Sequence, residues 1–401
     1  MLSNINGRLL LLALGAFSIG TEVFVIAGIL PGLAESLDVT LSSAAFLITA
    51  FAFTYAVVAP IGGAFCARFP PRTTLIGALV IFGLANVAAA ISPNYYSLLV
   101  ARLVAAASAA IYTPAAVTMA IRLVPKKEMG RASSVVYGGL SMSLVTGVPI
   151  GVFIAELTSW RFTFAFVSLI ALVAASALTI LLKALPPSGG LTLKARLSPL
   201  GRPVVVATLL SGLIWMTGGI AVYTYIALFV TASGWGAESV SAILLLYGAS
   251  AIFGNKLGGR LSDSRIGPRG TLIIALTVHF SALVLLGFAA KWGAPIGIYI
   301  APLAIGLYAM AGWACTPPQA ARLVSLAPQS SMEVLSLSTS ATYFGIASGA
   351  ALGSFVVETA SLPMVAFVAA GAQIIALSGV VLFKSPGVYE PEIGVAESPS
   401  K

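Results

Sequence analysis

The chain has 401 residues, of which 59% are hydrophobic and only 8% charged, with a net charge of +9 and a mean hydropathy of +1.04. So few charges cannot cover the surface of a water-soluble globule, and apolar runs near 20 residues, each long enough to cross a hydrocarbon core as a helix, recur throughout. A transmembrane β-barrel is disfavoured because its strands are short and alternating rather than continuously apolar.

Taken in chain order, the apolar runs predict spans at about 9–30, 42–66, 73–92, 96–121, 132–155 and 161–182, then at 203–232, 238–259, 270–289, 294–321, 332–357 and 362–383. The first run is too long for a signal-peptide core and opens a series of spans, so it is expected to be retained. Within it, GAFSIGTEVFVIAGILP (15–31) carries Glu22, the one acid among the twelve Asp and Glu that lies deep in a span. An intramembrane carboxylate costs about 2.5–3.5 kcal/mol on insertion scales and marks ion or substrate paths. Gly15, Ser18 and Glu22 recur at helical spacing, which predicts that this face turns toward a watery cavity.

Arg102, in the fourth span, sits at the depth of Glu22 and is the natural counter-charge. Burial favours the neutral acid and a nearby guanidinium favours the carboxylate. A group whose balance shifts as a cavity opens and closes suits proton coupling; a structural ion pair is the other reading, and both stay open here. His279, the sole histidine, falls in the ninth span and reads as a packed or interfacial side chain. Cys66 and Cys315 suggest neither a disulfide framework nor a metal site.

If both termini are cytoplasmic, 18 of the 21 Lys and Arg residues lie on the inner side, with only Arg161 and Lys291 outside and Arg102 within a span. The positive-inside rule predicts that orientation. The net positive charge then reflects topology and requires no nucleic-acid partner. Trp160, Trp235, Trp292, Tyr95 and Tyr96 fall at outer span ends, as an interfacial aromatic belt would.

The polar stretch ALPPSGGLTLKARLSPLGR (184–202) separates six spans from six. It predicts a first six-helix bundle at 1–183, a cytoplasmic linker at 184–202, a second bundle at 203–384 and a disordered tail at 385–401. The halves echo each other at an offset near 200. GVPIGVFIAELTS (147–159) aligns with GAALGSFVVETAS (349–361), and Thr113-Pro114 before Arg122 with Thr316-Pro317 before Arg322. Repeats with an even number of spans are parallel, related by an axis along the membrane normal.

From these features the chain resembles the major facilitator superfamily, in its twelve-span proton-antiporter group, and is similar to bacterial arabinose-efflux-like and purine-efflux-like permeases. The resemblance runs from about 9 to 384 and rests on LALGAFSIGTEVFVIAGILP, SPNYYSLLVARLVAAASAA, GVPIG, SWRFTF and TPPQ. It implies an all-α fold of twelve transmembrane helices in two pseudo-symmetric six-helix bundles, working as a monomer in the bacterial cytoplasmic (inner) membrane.

The resemblance also implies roles for particular residues. Family members carry G-x-x-x-D-R-x-G-R-R between spans two and three as a cytoplasmic latch. Here GAFCARFPPR (63–72) keeps Arg68 and Arg72 but has Ala67 for the Asp, while GRLSDSRIGPR (259–269) keeps Asp263, Gly267 and Arg269. The latch is therefore expected to lean on the second half, and Arg68 and Arg72 read equally as topology signals. Gly147, Pro149 and Gly151 match the fifth-span antiporter motif and are expected to form a flexing contact between the halves, with tight packing as the alternative. Relatives carry G-T-T-E-F where this chain has Gly20-Thr21-Glu22-Val23-Phe24, which turns the acid about 100° around its helix.

In this fold the cargo pocket lies at mid-depth between spans 1, 4, 7 and 10. The expected lining is Tyr112 and Thr113, Trp215 and Tyr223, Tyr308, Thr316 and Gln319, and Tyr343 from span eleven. Aromatics with a few hydrogen-bonding groups suit a neutral, flat or partly polar small molecule. The sequence shows no Walker A loop, zinc-protease motif or nucleophile elbow, so the expectation is no enzyme activity, no cofactor, no metal and a proton gradient as the energy source. The leading reading is proton-coupled antiport that exports a sugar, a nucleoside or purine, or a neutral drug such as chloramphenicol. Uptake by symport or facilitated diffusion, and a non-transporting membrane sensor, are the alternatives.

Overall fold

The computed structural model describes residues 2–66, 68–125, 128–183, 185–186 and 193–383. Ala67, Lys126, Lys127, residues 184 and 187–192 of the linker, Lys384 and the 385–401 tail lie outside the described residues. Twelve helices among those described are long and apolar enough to cross a membrane: α1 (Gly7–Ser36), α2 (Leu41–Gly62), α3 (Pro71–Ala90), α4 (Tyr95–Arg122), α5 (Met129–Leu157), α6 (Trp160–Leu181), α7 (Pro203–Thr224), α8 (Ala237–Ser262), α9 (Gly267–Trp292), α10 (Ile296–Leu326), α11 (Glu333–Thr359) and α12 (Leu362–Leu382). A helix satisfies its backbone groups internally, which is what hydrocarbon demands. Helix starts are set by local chemistry. Asn94 and Ser97 form a capping box at α4, and Ser159 accepts from the Arg161 amide at α6.

Proline explains two irregularities. Pro149 has no amide hydrogen to give to Val145, and the turn before it, Ser143–Gly147, widens to a π-helix in which the Val148 amide reaches the Ser143 carbonyl. α10 breaks at Cys315 and restarts on Thr316-Pro317-Pro318, where missing amides cost nothing. α1 runs through Pro31 to Ser36, six residues past its expected end. The stretch 203–232, expected as one span, breaks at Tyr225, and a short helix, Ile226–Ala232, continues it.

Packing repeats at an offset of six helices. In the first half α3 packs on α4 and α6, α2 on α4, and α1 on α5 and α6. In the second, α9 packs on α10 and α12, α8 on α10, and α7 on α11 and α12. The halves meet through α2 with α11 and α5 with α8, and α1 also touches the end of α7.

One hydrophobic core joins both halves, and it lies toward the face opposite the termini. There Ile26 and Leu30 of α1 and Val148 and Val152 of α5 share a cluster with Ile220 and Tyr223 of α7 and Leu244 of α8. Toward the terminal face the core splits into separate first-half and second-half clusters. The molecule is thus sealed on the far face and parted on the terminal face.

The expected latch residues sit on the terminal face without bridging the halves. Arg72 donates to the Thr179 carbonyl at 2.6 Å, and Arg269 to the Val381 and Val380 carbonyls at 2.9 and 3.3 Å. Each guanidinium thereby caps the last turn of a neighbouring helix in its own half, α6 or α12, where carbonyls lack partners. Arg68 and Asp263 are exposed in turns. Arg269→Ala is expected to lower stability by about 1–2 kcal/mol, read as a lower unfolding midpoint in detergent, with ligand affinity unchanged.

Candidate functional site

Arg102, backed by Phe51, dictates the surroundings of Glu22. Arg102 Nη1 donates to its Oε1 at 2.6 Å, and both side chains are fully buried. The Arg102 guanidinium lies 4.3 Å from the Phe51 ring centroid, a cation–π contact. Glu22 Oε2 and Arg102 Nε and Nη2 have no hydrogen-bond partner. This is the sole ion pair among the described residues.

The face bearing Gly15, Ser18 and Glu22 packs against protein instead of lining water. Gly15 abuts the Tyr112 hydroxyl of α4, Ser18 is buried and bonds back to the Gly15 carbonyl, and Glu22 meets Arg102. Small residues on α1 bring α4 close enough to enclose the charge.

The cavity lies elsewhere, mainly in the second half. It encloses about 430 Å³, and among the described residues no Asp, Glu, Lys or Arg lines it. Tyr308, Gly312, Thr316 and Gln319, the face read from their spacing of four, four and three, all line it, and so does Trp215. Tyr308 donates to the Gly219 carbonyl at 2.7 Å and Gln319 to the Thr208 carbonyl at 2.6 Å. Those bonds hold α10 against α7 and fix the polar edges of the wall. The first half contributes Phe24 and Tyr137. Leu209 and Gly212 near the start of α7, Leu335 and Ser338 near the start of α11, and Gln319 near the end of α10 place the mouth on the terminal face.

Four expected lining residues stand outside that wall. Tyr112 is buried in the first-half core and donates to the Leu12 carbonyl at 2.9 Å. Thr113 bonds back to Ala109 at 3.3 Å. Tyr343 stacks on Tyr55 of α2, centroids 3.5 Å apart, at the contact between halves. Tyr223 donates to the Phe24 carbonyl at 3.2 Å and sets its ring edge-on to Phe24, in the core that seals the far face. Tyr247, Trp313 and His279 line the cavity without having been expected there. Trp313 donates to the Tyr247 hydroxyl at 3.3 Å. An aromatic-and-small-residue face, Tyr247 with Gly248 and Ala251, was the available signal for α8.

The antiporter-motif glycines face inward within their own half. A Cβ at Gly147 would strike Thr21, and one at Gly151 would come within 2.8 Å of Val25 and 3.1 Å of Thr163. They seat α5 on α1 and α6. The close approach between halves belongs to Gly248 of α8, which lies against the backbone of Leu144 and Val145 in the π turn.

The Major Facilitator Superfamily profile matches residues 12–332. The chain is 30% identical over 383 residues to YbcL of Bacillus subtilis (strain 168), described as an uncharacterized MFS-type transporter, covering 94% of this chain and 96% of that protein. It is 34% identical over 289 residues to a chloramphenicol resistance protein of Streptomyces lividans, covering 69% of this chain and 72% of that one. Among solved structures, a D-xylose-proton symporter superposes with a TM-score of 0.77 at 17% identity, over 94% of this chain and 97% of its own.

Proposed function

The chain belongs to the major facilitator superfamily and is a multi-pass membrane transporter rather than an enzyme; from that premise we propose that it exports a small uncharged organic molecule in exchange for protons. The observation that carries this reading is a division of labour. An aromatic cavity with no charged side chain among its described lining residues sits mainly in the second half, and a fully buried acid–base pair sits in the first. Phe24, two residues beyond Glu22, is a wall of that cavity, so movement of α1 acts on both sites.

The cycle follows from the seal. With the far face closed, cargo enters from the terminal face, which the positive-inside rule makes cytoplasmic, and Glu22 is shut away from water. Rocking of the halves about the α2–α11 and α5–α8 contacts opens the far face. Glu22 takes a proton there and its bond to Arg102 weakens; the return step, after cargo has left, carries the proton inward, where Glu22 gives it up to the cytoplasmic side as the Arg102 bond re-forms and closes the pair from water. In this reading the protein works as a monomer, needs no cofactor and draws its energy from the proton gradient. Export and a phenicol-like cargo are supported by similarity to the chloramphenicol resistance protein.

Proteoliposomes preloaded with chloramphenicol and a pH-sensitive dye test the proposal. An imposed proton gradient directed into the lumen should expel chloramphenicol and collapse faster when cargo is present. Cargo leaving with no proton movement would point to facilitated diffusion. Cargo accumulating in the lumen alongside the protons would mean symport.

A further inference from the structure

His279 projects from α9, a helix packed on α10 and α12 at the edge of the second half, yet its side chain is only 1% exposed and lines the cavity. The imidazole stacks on the Tyr308 ring, centroids 5.2 Å apart and planes 22° from parallel. Neither ring nitrogen has a hydrogen-bond partner. Gln373 of α12 lies alongside, near enough to influence the ring, but its amide donates to the Trp215 and Ala369 carbonyls at 3.2 and 3.3 Å and its Oε1 is itself without a partner. A buried polar group left in this state costs free energy and is retained where something else completes it.

Two glycines decide how the ring is reached. A Cβ at Gly312 of α10 would lie 3.3 Å from His279 Cε1 and 3.4 Å from Nε2; one at Gly219 of α7 would lie 3.4 and 3.8 Å from the same atoms. Both glycines line the cavity. The Cε1–Nε2 edge therefore looks into the cavity through a window that any side chain at either position would cover. Trp215, Trp313, Tyr247 and Tyr308 line the same cavity, flat apolar surfaces suited to an aromatic ring, with Tyr308 stacked on the imidazole itself.

We propose that His279 is the polar anchor of this cavity, and that its cargo is an uncharged aromatic compound whose hydroxyl group hydrogen-bonds the imidazole edge through the Gly219–Gly312 window. This rests on the transporter reading above and deepens it. The aromatic walls supply affinity without discrimination, since every flat ring meets them alike. The imidazole supplies the specificity, because a cargo lacking the hydroxyl leaves the ring unpartnered.

The test is binding to the purified full-length protein, read by tryptophan emission, since Trp215 and Trp313 line the cavity. The probes are chloramphenicol and its 1-deoxy and 3-deoxy analogues, which lack one hydroxyl without added bulk. Wild type should bind chloramphenicol about tenfold more tightly than at least one deoxy analogue, the worth of one hydrogen bond. In His279→Leu and in Gly312→Ala, which keeps the imidazole but covers its edge, the three probes should bind alike at the weaker affinity. The unliganded thermal midpoint of His279→Leu should stay at or above that of wild type, because an unpartnered polar ring gives way to hydrocarbon of similar size.

Discrimination that survives in both variants would overturn the anchor while leaving the cavity as the cargo site. Weaker binding accompanied by a lower midpoint in both variants would make His279 a packing residue and overturn it too. Failure of wild type to bind any of the three would remove the phenicol-like cargo reading and this assignment together.

Discussion

Glu22→Gln is expected to abolish cargo-driven proton movement in proteoliposomes and to lower stability by about 3–5 kcal/mol, the cost of stripping a buried charge of its partner. The glutamine fills the same space, so the loss comes from charge alone. Arg102, fully buried and 2.6 Å from Glu22 Oε1, would keep the Phe51 ring but lose its anionic acceptor. Arg102→Leu should cost a similar amount for the mirror-image reason.

The double variant Glu22→Leu/Arg102→Leu separates the two roles of the pair. With neither charge present there is no orphan to bury, so much of the lost stability should return, and the double-mutant cycle should show strong coupling between the sites. Proton movement should remain absent, because the proposed carrier is gone. Chloramphenicol binding should stay within about threefold of wild type, since neither residue lines the cavity. A double variant that still moves protons in response to cargo would demote the pair to a structural element and move the coupling site elsewhere.

Gly248→Val should open the far face. The α8 backbone passes so near the π turn that a Cβ at Gly248 would lie 2.6 Å from both the Leu144 carbonyl carbon and the Val145 Cα. Backbone atoms cannot swing aside as a side-chain tip can, so α5 and α8 must part. Overpacking of this kind costs about 1–3 kcal/mol, which shifts the balance between far-closed and far-open forms by about fivefold to 140-fold.

Spin labels at Leu157→Cys and Glu238→Cys, exposed positions at the far ends of α5 and α8, would report the shift as a longer distance population. Gly147→Ala is the informative contrast. Its added methyl would press on Thr21 of α1 inside the first half, so it should lower stability and leave the label distances alone. An unchanged distance distribution in Gly248→Val would exclude the α5–α8 contact as the element that holds the far face shut.

Much of this architecture was legible in the chain because hydrocarbon imposes length on sequence. A span needs about 20 apolar residues, and each of the twelve expected runs overlaps one of the twelve spanning helices, with ends shifted by at most a few turns. The offset repeat between halves reappears as helix pairings repeated six helices apart. Depth was readable too, since position along a helix converts directly into distance across the membrane; Glu22 and Arg102 stand at one level and touch. Tyr308, Gly312, Thr316 and Gln319 of α10 line one cavity across the break at Cys315, since a spacing of four, four and three keeps them on one side.

Rotation about each helix axis was not readable, and the tertiary structure alone decided it. One residue turns a side chain by about 100°, and a helix apolar on every side gives no internal clue to which side faces water, lipid or a neighbour. Tyr112 and Thr113 therefore turn into the first-half core, Tyr343 onto Tyr55, and the Glu22 face onto α4. Gly147 and Gly151 admit α1 rather than the other half. His279 points inward from an edge helix because glycines on α7 and α10 leave room for its ring. Composition and length determined what crosses the membrane and where charge lies deep; packing of small residues against neighbouring backbones determined which of those side chains meet the cavity.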